Sequence, residues 1–244
     1  MKTLRYYYSA IGWFVGFLVF TLSLKIIDVR PILMCDMDNN PVEKLAKEPK
    51  VGWFALNSFV HNATGVSNDW YSITKYIGLL SFAMVAVFAG LGIWQLIQRK
   101  SLKKVDQDLM VLAVTYFITF VFYILFDLIP INYRPVILDI EEGLEASFPS
   151  THTLLAVVIF STAILQIRRR LKEPAVKNIL TVVCLTFMFL IVGGRLISGV
   201  HWFTDIVGGI ILGAAIICFY KGSCRWYRAV RKRKRKAMKT NSES

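Results

Sequence analysis

The chain has 244 residues, of which 55% are hydrophobic and 18% are charged, and its mean hydropathy is +0.52. An ordinary soluble domain carries more charge than this, so the composition favours a membrane protein. The formal net charge of +13 would suit nucleic-acid binding. The basic residues, however, concentrate where a membrane protein places them, and no nucleic-acid partner is predicted.

Six hydrophobic segments predict an all-α, polytopic membrane protein with six transmembrane helices. Three uncharged runs approach or exceed the roughly 18–20 apolar residues that cross a bilayer, and three others do so with one or two polar residues at their ends. The first run is too long for the core of a signal peptide and precedes no small-residue cleavage site. We therefore expect it to stay as a membrane anchor. In chain order the segments are 6–24, 76–98, 109–126, 153–167, 178–194 and 206–220.

The basic residues predict the orientation of the chain. Of the 29 Lys and Arg residues, 21 lie at the N-terminus, in the second-to-third and fourth-to-fifth loops, and in the C-terminal tail. These four regions share one side of a six-helix arrangement, so by the positive-inside rule both termini are cytoplasmic. The protein is predicted in the plasma membrane. The run 228–236 either contacts anionic lipid headgroups or serves only as a topology signal.

The predicted helices divide the chain into three parts: two N-terminal transmembrane helices, a core of four transmembrane helices, and a basic cytoplasmic tail. The first part includes a long outer loop. The three parts are 1–107, with the outer loop at 28–70, then 108–221 and 222–244.

The outer loop and the last helix each carry one local signal. Residues 51–61 are amphipathic enough for a short helix in the membrane interface, with Trp53, Phe54 and Phe59 toward lipid; a plain surface loop is the alternative. In the sixth membrane helix, Gly209 and Gly213 are spaced for close helix packing.

Five ionisable side chains are predicted to meet at the outer ends of four membrane helices. Arg134 follows the third helix, His152 opens the fourth, Arg195 ends the fifth, and His201 and Asp205 open the sixth. Each residue alone has a plain explanation as a snorkelling anchor, a structural imidazole or a helix cap. Charged groups at such depths are costly, and their convergence on one face favours a phosphate site.

Four of the candidate residues suit phosphate binding. Arg134 and Arg195 offer planar, permanently charged forks that match phosphate oxygens. Ser150 and Thr151 open the fourth membrane helix, where free backbone amides and the helix dipole attract an anion.

Three further residues suit phosphoryl transfer. His201 and Asp205 are spaced i, i+4 and share a helical face. The carboxylate can fix the imidazole tautomer and leave the other ring nitrogen free to attack phosphorus. His152 can protonate the leaving oxygen and later activate water. This chemistry needs no metal, and neither a metal site nor another cofactor is predicted.

The segments that carry these residues resemble the three signature motifs of the type 2 phosphatidic acid phosphatase family, which is related to vanadium-dependent haloperoxidases. The family motifs read Lys-x6-Arg-Pro, Pro-Ser-Gly-His and Ser-Arg-x5-His-x3-Asp. The resemblance covers about residues 108–220. The matching positions are Arg134-Pro135, Pro149-Ser150 with His152, and Arg195 with His201 and Asp205.

The resemblance implies a bacterial integral membrane lipid phosphatase. His201 would form a phosphohistidine intermediate, Asp205 would orient it, and His152 would be the general acid. The phosphate would be bound by Arg134, Arg195 and Ser150.

One departure from the family motifs changes a charge. Asp127 stands seven residues before Arg134, where the family has lysine, and a lost charge-assisted contact to phosphate would cost a few kcal/mol. Lys75, at the outer end of the second membrane helix, is a candidate replacement. Alternatively, Asp127 pairs with Arg134 and holds it in place. Thr151 for glycine and Gly194 for serine are smaller changes.

The predicted function is hydrolysis of a phosphomonoester or diphosphate of a membrane lipid at the outer face. The outer location favours undecaprenyl diphosphate, followed by phosphatidylglycerol phosphate and phosphatidate. One alternative is a lipid-linked phosphotransferase, in which a lipid or sugar hydroxyl replaces water. Another is a non-catalytic lipid-binding or transport protein on the same scaffold.

Overall fold

The computed structural model describes residues 2–38, 40–42, 49–141 and 143–240. Within this part of the chain, six α-helices are long and apolar enough to cross a membrane, and a seventh is shorter. The predicted all-α fold with six transmembrane helices is thereby confirmed. The helices are α1 (Lys2–Ser23), α2 (Phe54–Thr64), α3 (Asn68–Arg99), α4 (Gln107–Leu128), α5 (Thr151–Arg170), α6 (Pro174–Ile197) and α7 (Phe203–Thr240).

Local signals in the sequence set several helix ends. The side chain of Ser67 accepts from the backbone N–H of Trp70 and caps α3. At the other end of α3, Lys100 adopts a left-handed conformation with φ 51°, which stops the helix. Pro174 occupies the first turn of α6, where its missing N–H costs nothing.

The helices pack around α7 and α5. α1 lies along α7, while α5 packs against both α6 and α7 and also touches α3. Gly209 and Gly213 allow the close contact between α7 and α5, because a Cβ at these positions would lie 2.9 Å from the Ser150 carbonyl oxygen and 2.8 Å from Val157 Cγ1. The close packing predicted from these two glycines is therefore present.

Aromatic packing fixes the segment that leads into α5. Phe148 is 1% exposed, and its ring lies 5.8 Å from that of Phe17 and 6.1 Å from that of Phe20, both on α1. Gly208 on α7 makes room for it, because a Cβ there would lie 2.3 Å from Phe148 Cε2. Truncating a buried Phe costs about 3–5 kcal/mol, so this anchor holds the start of α5 in position.

The loops at the same end as Phe148 contain four two-residue strands. β1 (Arg30–Pro31) pairs antiparallel with β3 (Lys50–Val51), and β2 (Cys35–Asp36) pairs parallel with β4 (Val136–Ile137). The second pair ties the long first loop to the chain that follows α4.

The short helix predicted in the outer loop is present as α2. Phe59 on this helix is 73% exposed, as an interfacial residue would be. Trp53, by contrast, packs against Phe20 with ring centroids 6.2 Å apart and donates to Ser23 Oγ at 3.1 Å. α2 is thereby attached to the end of α1, and Trp53 faces the protein.

Candidate active site

Two loop segments pair beside the helix ends and carry part of the site. The N–H of Arg134 donates to the Glu145 carbonyl at 3.1 Å, and the N–H of Ser147 donates to the Asn132 carbonyl at 2.9 Å. An antiparallel bridge between Tyr133 and Ala146 lies between these two bonds. The pairing joins the chain after α4 to the chain before α5, so residues far apart in the sequence become neighbours.

His201 is held on both sides of its ring. Its Nε2 lies 3.2 Å from Arg134 Nη1, and its Nδ1 lies 3.2 Å from Ser147 Oγ. Arginine can only donate, so the hydrogen-bond network assigns the lone pair to Nε2 and the proton to Nδ1. Nδ1 then donates to Ser147 Oγ. The imidazole therefore presents an unprotonated nitrogen to the guanidinium group.

Ser147 connects His201 to Asp205. Its hydroxyl donates to Oδ2 of Asp205, while the direct distance from His201 Nδ1 to that oxygen is 3.6 Å. The same carboxylate oxygen accepts the N–H of Trp202 at 2.8 Å. Asp205 is fully buried, so these bonds fix the carboxylate at the first turn of α7.

Glu145 holds Arg134 in place. The guanidinium Nε lies 3.0 Å from Glu145 Oε2, and Nη1 also donates to the Val200 carbonyl at 3.3 Å. The alternative in which Asp127 pairs with Arg134 is therefore not what the structure has, because Arg134 forms its ion pair with Glu145 on the paired loop. Asp127 is exposed at the edge of the cavity described below.

Arg195 reaches the site from the end of α6. It is 1% exposed, and its Cζ lies 5.1 Å from the centre of the Tyr71 ring on α3. Its Nε and Nη1 make no hydrogen bond with any residue that the structure describes, so both remain available as donors. Lys75 is exposed, with Nζ 6.0 Å from the centre of the same Tyr71 ring. Lys75 and Arg195 therefore both lie near this ring.

The start of α5 provides backbone donors. Ser150 Oγ caps the helix by accepting the N–H of Thr153 at 3.4 Å, and the N–H of Ser150 donates to the Asp205 carbonyl at 3.0 Å. The first amides of a helix lack intrahelical acceptors, which leaves those of Thr151 and His152 for an anion. The Ser150 hydroxyl is buried and serves as the cap, so its role in phosphate binding stays a prediction.

The charges around His201 keep its ring neutral. The pKa of His201 lies well below its usual value, first because burial disfavours the charged ring and then because Arg134, Arg195 and His152 add positive charge nearby. A neutral imidazole at neutral pH has a free lone pair. The charges that act on His201 therefore come from the loop of Arg134, the end of α6 and the start of α5.

A cavity of about 650 Å³ opens beside these groups. Arg134, Thr151 and His152 line it together with Glu145 and Ser147. The remaining walls are largely apolar and come from α3 and α4, where Phe82 and Phe120 are exposed. The cavity thus joins a basic, hydrogen-bonding end to an apolar side that opens between the two helices. Among the described residues, His, Cys, Asp and Glu form no group of three arranged to hold a metal ion.

Four residues near the site have no counterpart among the predicted ones: Glu145, Ser147, Tyr71 and Asn57. The first two are polar residues just before the second motif, and that position was an available signal. Asn57 on α2 is fully buried, donates to Thr204 Oγ1 at 3.0 Å and accepts the N–H of Thr204 at 3.1 Å. It thereby ties the outer loop to the first turn of α7. Neither Asn57 nor Tyr71 belongs to a recognisable motif.

Comparison with known proteins gives one family and one similar fold. Residues 79–229 match the family profile described as PAP2 superfamily. The chain is similar to a crystal structure described as the first transmembrane PAP2 type phosphatidylglycerolphosphate phosphatase from Bacillus subtilis. The TM-score is 0.55, with 17% sequence identity over 88% of this chain and 95% of that one. No curated protein matches the chain.

Proposed function

Because this chain belongs to the PAP2 superfamily, we propose that it is a membrane lipid phosphatase that transfers a phosphoryl group from a lipid to His201 and then to water. The substrate is a phosphomonoester or a diphosphate. His201, His152 and Asp205 act in catalysis. Arg134, Arg195, Ser150 and Thr151 bind the phosphate.

The observation that carries this proposal is the orientation of His201. Its Nδ1 is occupied by Ser147, and its Nε2 faces the guanidinium group of Arg134 at 3.2 Å. A phosphate that binds Arg134 therefore lies next to the unprotonated nitrogen. Both the nucleophile and the anion-binding group are positioned before substrate arrives, which is how a site lowers the barrier to phosphoryl transfer.

In the first step, the Nε2 lone pair of His201 attacks phosphorus, and the bond from phosphorus to the lipid or diphosphate oxygen breaks. His152 donates a proton to that leaving oxygen. The phosphorylated ring keeps its Nδ1 proton and becomes positively charged. Ser147 and Asp205 stabilise that charge, while the two arginines neutralise the phosphoryl oxygens.

In the second step, water replaces the imidazole. His152 has lost its proton in the first step and now accepts one from the attacking water molecule. The phosphorus–nitrogen bond breaks, the electron pair returns to Nε2 of His201, and inorganic phosphate leaves. Each group ends in its starting protonation state, so no cofactor is consumed.

We place this site at the outer face of the plasma membrane, with both termini in the cytoplasm. Supporting this orientation, Lys and Arg residues concentrate in the loops and termini opposite the site. We also propose the division into an N-terminal helix pair, a four-helix catalytic core and a basic tail that contacts anionic headgroups.

The outer location favours undecaprenyl diphosphate as substrate. The similar protein described as a phosphatidylglycerolphosphate phosphatase supports phosphatidylglycerol phosphate as the next candidate, ahead of phosphatidate.

Phosphate release and labelling test the proposal. Purified protein in detergent with EDTA is given each of the three lipids, carrying ³²P in the transferred group, and both free phosphate and acid-labile, alkali-stable label on the protein are measured. We expect the wild type to show both signals and His201→Ala to show neither. His61→Ala is the matched control and should keep the label, because His61 lies on α2 with its ring 5.4 Å from that of Trp202 and is not one of the proposed catalytic or phosphate-binding residues.

Three results would contradict the proposal. Hydrolysis by His201→Ala at the wild-type rate would remove the phosphohistidine. Label that appears on an acceptor lipid or sugar, with none in free phosphate, would make the protein a phosphotransferase. Folded wild type that binds the lipids but releases no phosphate from any of them would make it a non-catalytic lipid-binding protein.

A further inference from the structure

Two cavities lie one after the other along α3 and α4, the active-site cavity and a second one nearer the opposite end of these helices. The active-site cavity is lined on α3 by Gly78 and Phe82. A second cavity, of about 390 Å³, begins at Val85, less than one turn further, and extends past Gly92 to Leu96. Positions three and four apart share one helix face, so both cavities lie along the same face of α3. We call the two together the α3–α4 groove.

The opposite wall of the groove has the same continuity. On α4 the active-site cavity is lined by Phe126, Tyr123 and Phe120, and the second cavity by Tyr116 and residues that precede it. The chain direction of α4 is opposite to that of α3, so these residues follow the groove away from the site. The second cavity is lined mainly by apolar side chains and contains no candidate for phosphate chemistry.

A polar clamp connects α3 and α4 near the far end of the groove. Gln95 Nε2 donates to Asp106 Oδ2 at 3.0 Å, and Gln95 Oε1 accepts the N–H of Asp106 at 2.9 Å. Arg99 Nη1 adds a bond to Asp106 Oδ1 at 2.9 Å. Burial raises the pKa of Asp106, but bonds from Arg99, Arg170 and Gln95 outweigh it and hold the pKa below its usual value. The charged clamp joins α3 to the start of α4, next in sequence to Leu96 and Val105, which line the far end of the second cavity.

The length of the groove indicates how long a hydrocarbon chain it can hold. At a rise of 1.5 Å per residue, the stretch from Gly78 to Leu96 covers about 27 Å, close to the roughly 30 Å thickness of the hydrocarbon core. The acyl chain of a glycerolipid reaches about half of that thickness, or ~15 Å. A chain seated along the whole groove must therefore be longer than an acyl chain.

We propose that the α3–α4 groove binds the hydrocarbon chain of the substrate along its full length, and that it selects phosphorylated lipids of polyprenyl length over those with ordinary acyl chains. This inference rests on the proposed function, because it assumes that the phosphate of the substrate occupies the active-site cavity at one end of the groove. The hydrocarbon chain of the substrate already lies among lipid tails before it binds. The hydrophobic effect therefore gives no preference for one chain length over another in the groove. Selectivity comes from packing of the chain against the helix faces, which fixes the phosphate opposite His201.

Two glycines on α3 give a matched test. Gly92 lines the second cavity, whereas Gly90 lines neither cavity, and a Cβ at either position meets no atom within 4 Å. Leucine at each site raises helix propensity equally, so both variants should fold. Only Gly92→Leu places a side chain in the groove.

Hydrolysis is measured with C15 and C55 prenyl diphosphates, which share a headgroup and differ only in chain length. We expect Gly92→Leu to lower kcat/KM for the C55 substrate by about tenfold and to leave that for the C15 substrate unchanged. Gly90→Leu should match the wild type with both. An equal loss with both substrates, or no loss with C55, would overturn the proposal.

A binding measurement separates this inference from the proposed function. Binding of C55 prenyl monophosphate to the detergent-solubilised protein is measured by native mass spectrometry. Weaker binding to Gly92→Leu than to Gly90→Leu supports the groove even if the wild type hydrolyses nothing, in which case the proposed function alone fails. Equal binding to both variants overturns the groove.

Discussion

The hydroxyl of Ser147 lies 3.2 Å from Nδ1 of His201 and donates its own proton to Asp205. The carboxylate therefore acts on the imidazole mainly through a serine, since the direct separation is 3.6 Å. A hydroxyl can accept from one group while donating to another, so the chain from Nδ1 to Oδ2 has a defined direction. It fixes the tautomer in which Nε2 is free.

Removing that bridge should slow the chemical step. We expect Ser147→Ala to lower kcat by about 10- to 100-fold with little change in KM, because the ring loses its orienting acceptor while the phosphate-binding groups remain. Ser147→Thr keeps the hydroxyl and should restore most of the rate. Steady-state kinetics separates kcat from KM.

Ser161→Ala is the matched control, because Ser161 Oγ donates to Met188 Sδ at 3.9 Å, between α5 and α6 and away from the site. Full activity of Ser147→Ala would mean that Asp205 orients His201 without the serine.

Glu145 should control phosphate affinity through Arg134. Its carboxylate lies 3.0 Å from Arg134 Nε, and both side chains are partly exposed, so the pair contributes little to stability. Its expected effect is on position: Glu145→Ala should raise KM by about tenfold and weaken inhibition by inorganic phosphate, since a misplaced arginine binds an anion poorly.

Glu145→Gln keeps an acceptor for Arg134 and should lie between the wild type and the alanine variant. Inhibition constants for phosphate provide the measurement. A lower kcat with unchanged phosphate inhibition would show that Glu145 acts on something other than Arg134.

Asp127 places a negative charge at the edge of the active-site cavity. Replacing it with lysine should lower KM for a phosphorylated lipid by a few-fold, because a cation there attracts the headgroup. Asp127→Asn should have a smaller effect in the same direction, and raising the ionic strength should reduce both effects. Activity measured at low and high salt checks this. Unchanged rates in both variants would place Asp127 outside the site.

On the acid side of the pH profile, kcat/KM should begin to fall at a pH below the ordinary pKa of histidine. Burial, then the charges of Arg134 and Arg195, depress the pKa of His201. The proposed nucleophile is therefore still neutral at pH values where a free imidazole, with a pKa of ≈ 6.5, has gained a proton. We expect kcat/KM to fall only as the pH drops well under that value.

Arg134→Gln removes one of the positive charges and should move the acid limb of the residual activity to higher pH. The pH profiles of the two proteins supply the comparison. A limb that stays in place, or moves to lower pH, would mean that a different group titrates.

The same depressed pKa affects folding. In the unfolded chain His201 takes up a proton near its ordinary pKa, while in the folded protein it does not, so the unfolded state binds more protons as the pH falls. Stability should therefore decrease as the pH drops below that value. His201→Asn should flatten this dependence, which thermal unfolding at several pH values would reveal.

The sequence predicts the six membrane helices because hydrophobic length is a local property that each segment carries in its own residues. It also predicts that the motif residues meet near the ends of four helices, since helix order alone brings those ends to one face. Glu145 and Ser147 were missed because their roles depend on how two loops pair. Asn57 was missed because its partner Thr204 lies 147 residues away, and no periodicity encodes a contact of that kind.

The pairing of Arg134 with Glu145 shows the same limit. Their spacing in the sequence made Asp127 a reasonable partner for Arg134. The antiparallel bridge between Tyr133 and Ala146 instead brings Glu145 next to Arg134, and these two side chains form the ion pair. Backbone geometry in an irregular loop determines such a contact, and hydropathy carries no information about it.

Much of the frame around the site is built from main-chain acceptors. The carbonyls of Val200, Tyr133, Asn132 and Asp205 receive the bonds that join the loops and helix ends. Every residue type supplies a carbonyl, so most substitutions along these segments leave the frame intact while the few chemical side chains stay fixed. Such an arrangement tolerates extensive drift in sequence. The chain has a fold similar to that of a structure with which it shares only 17% sequence identity.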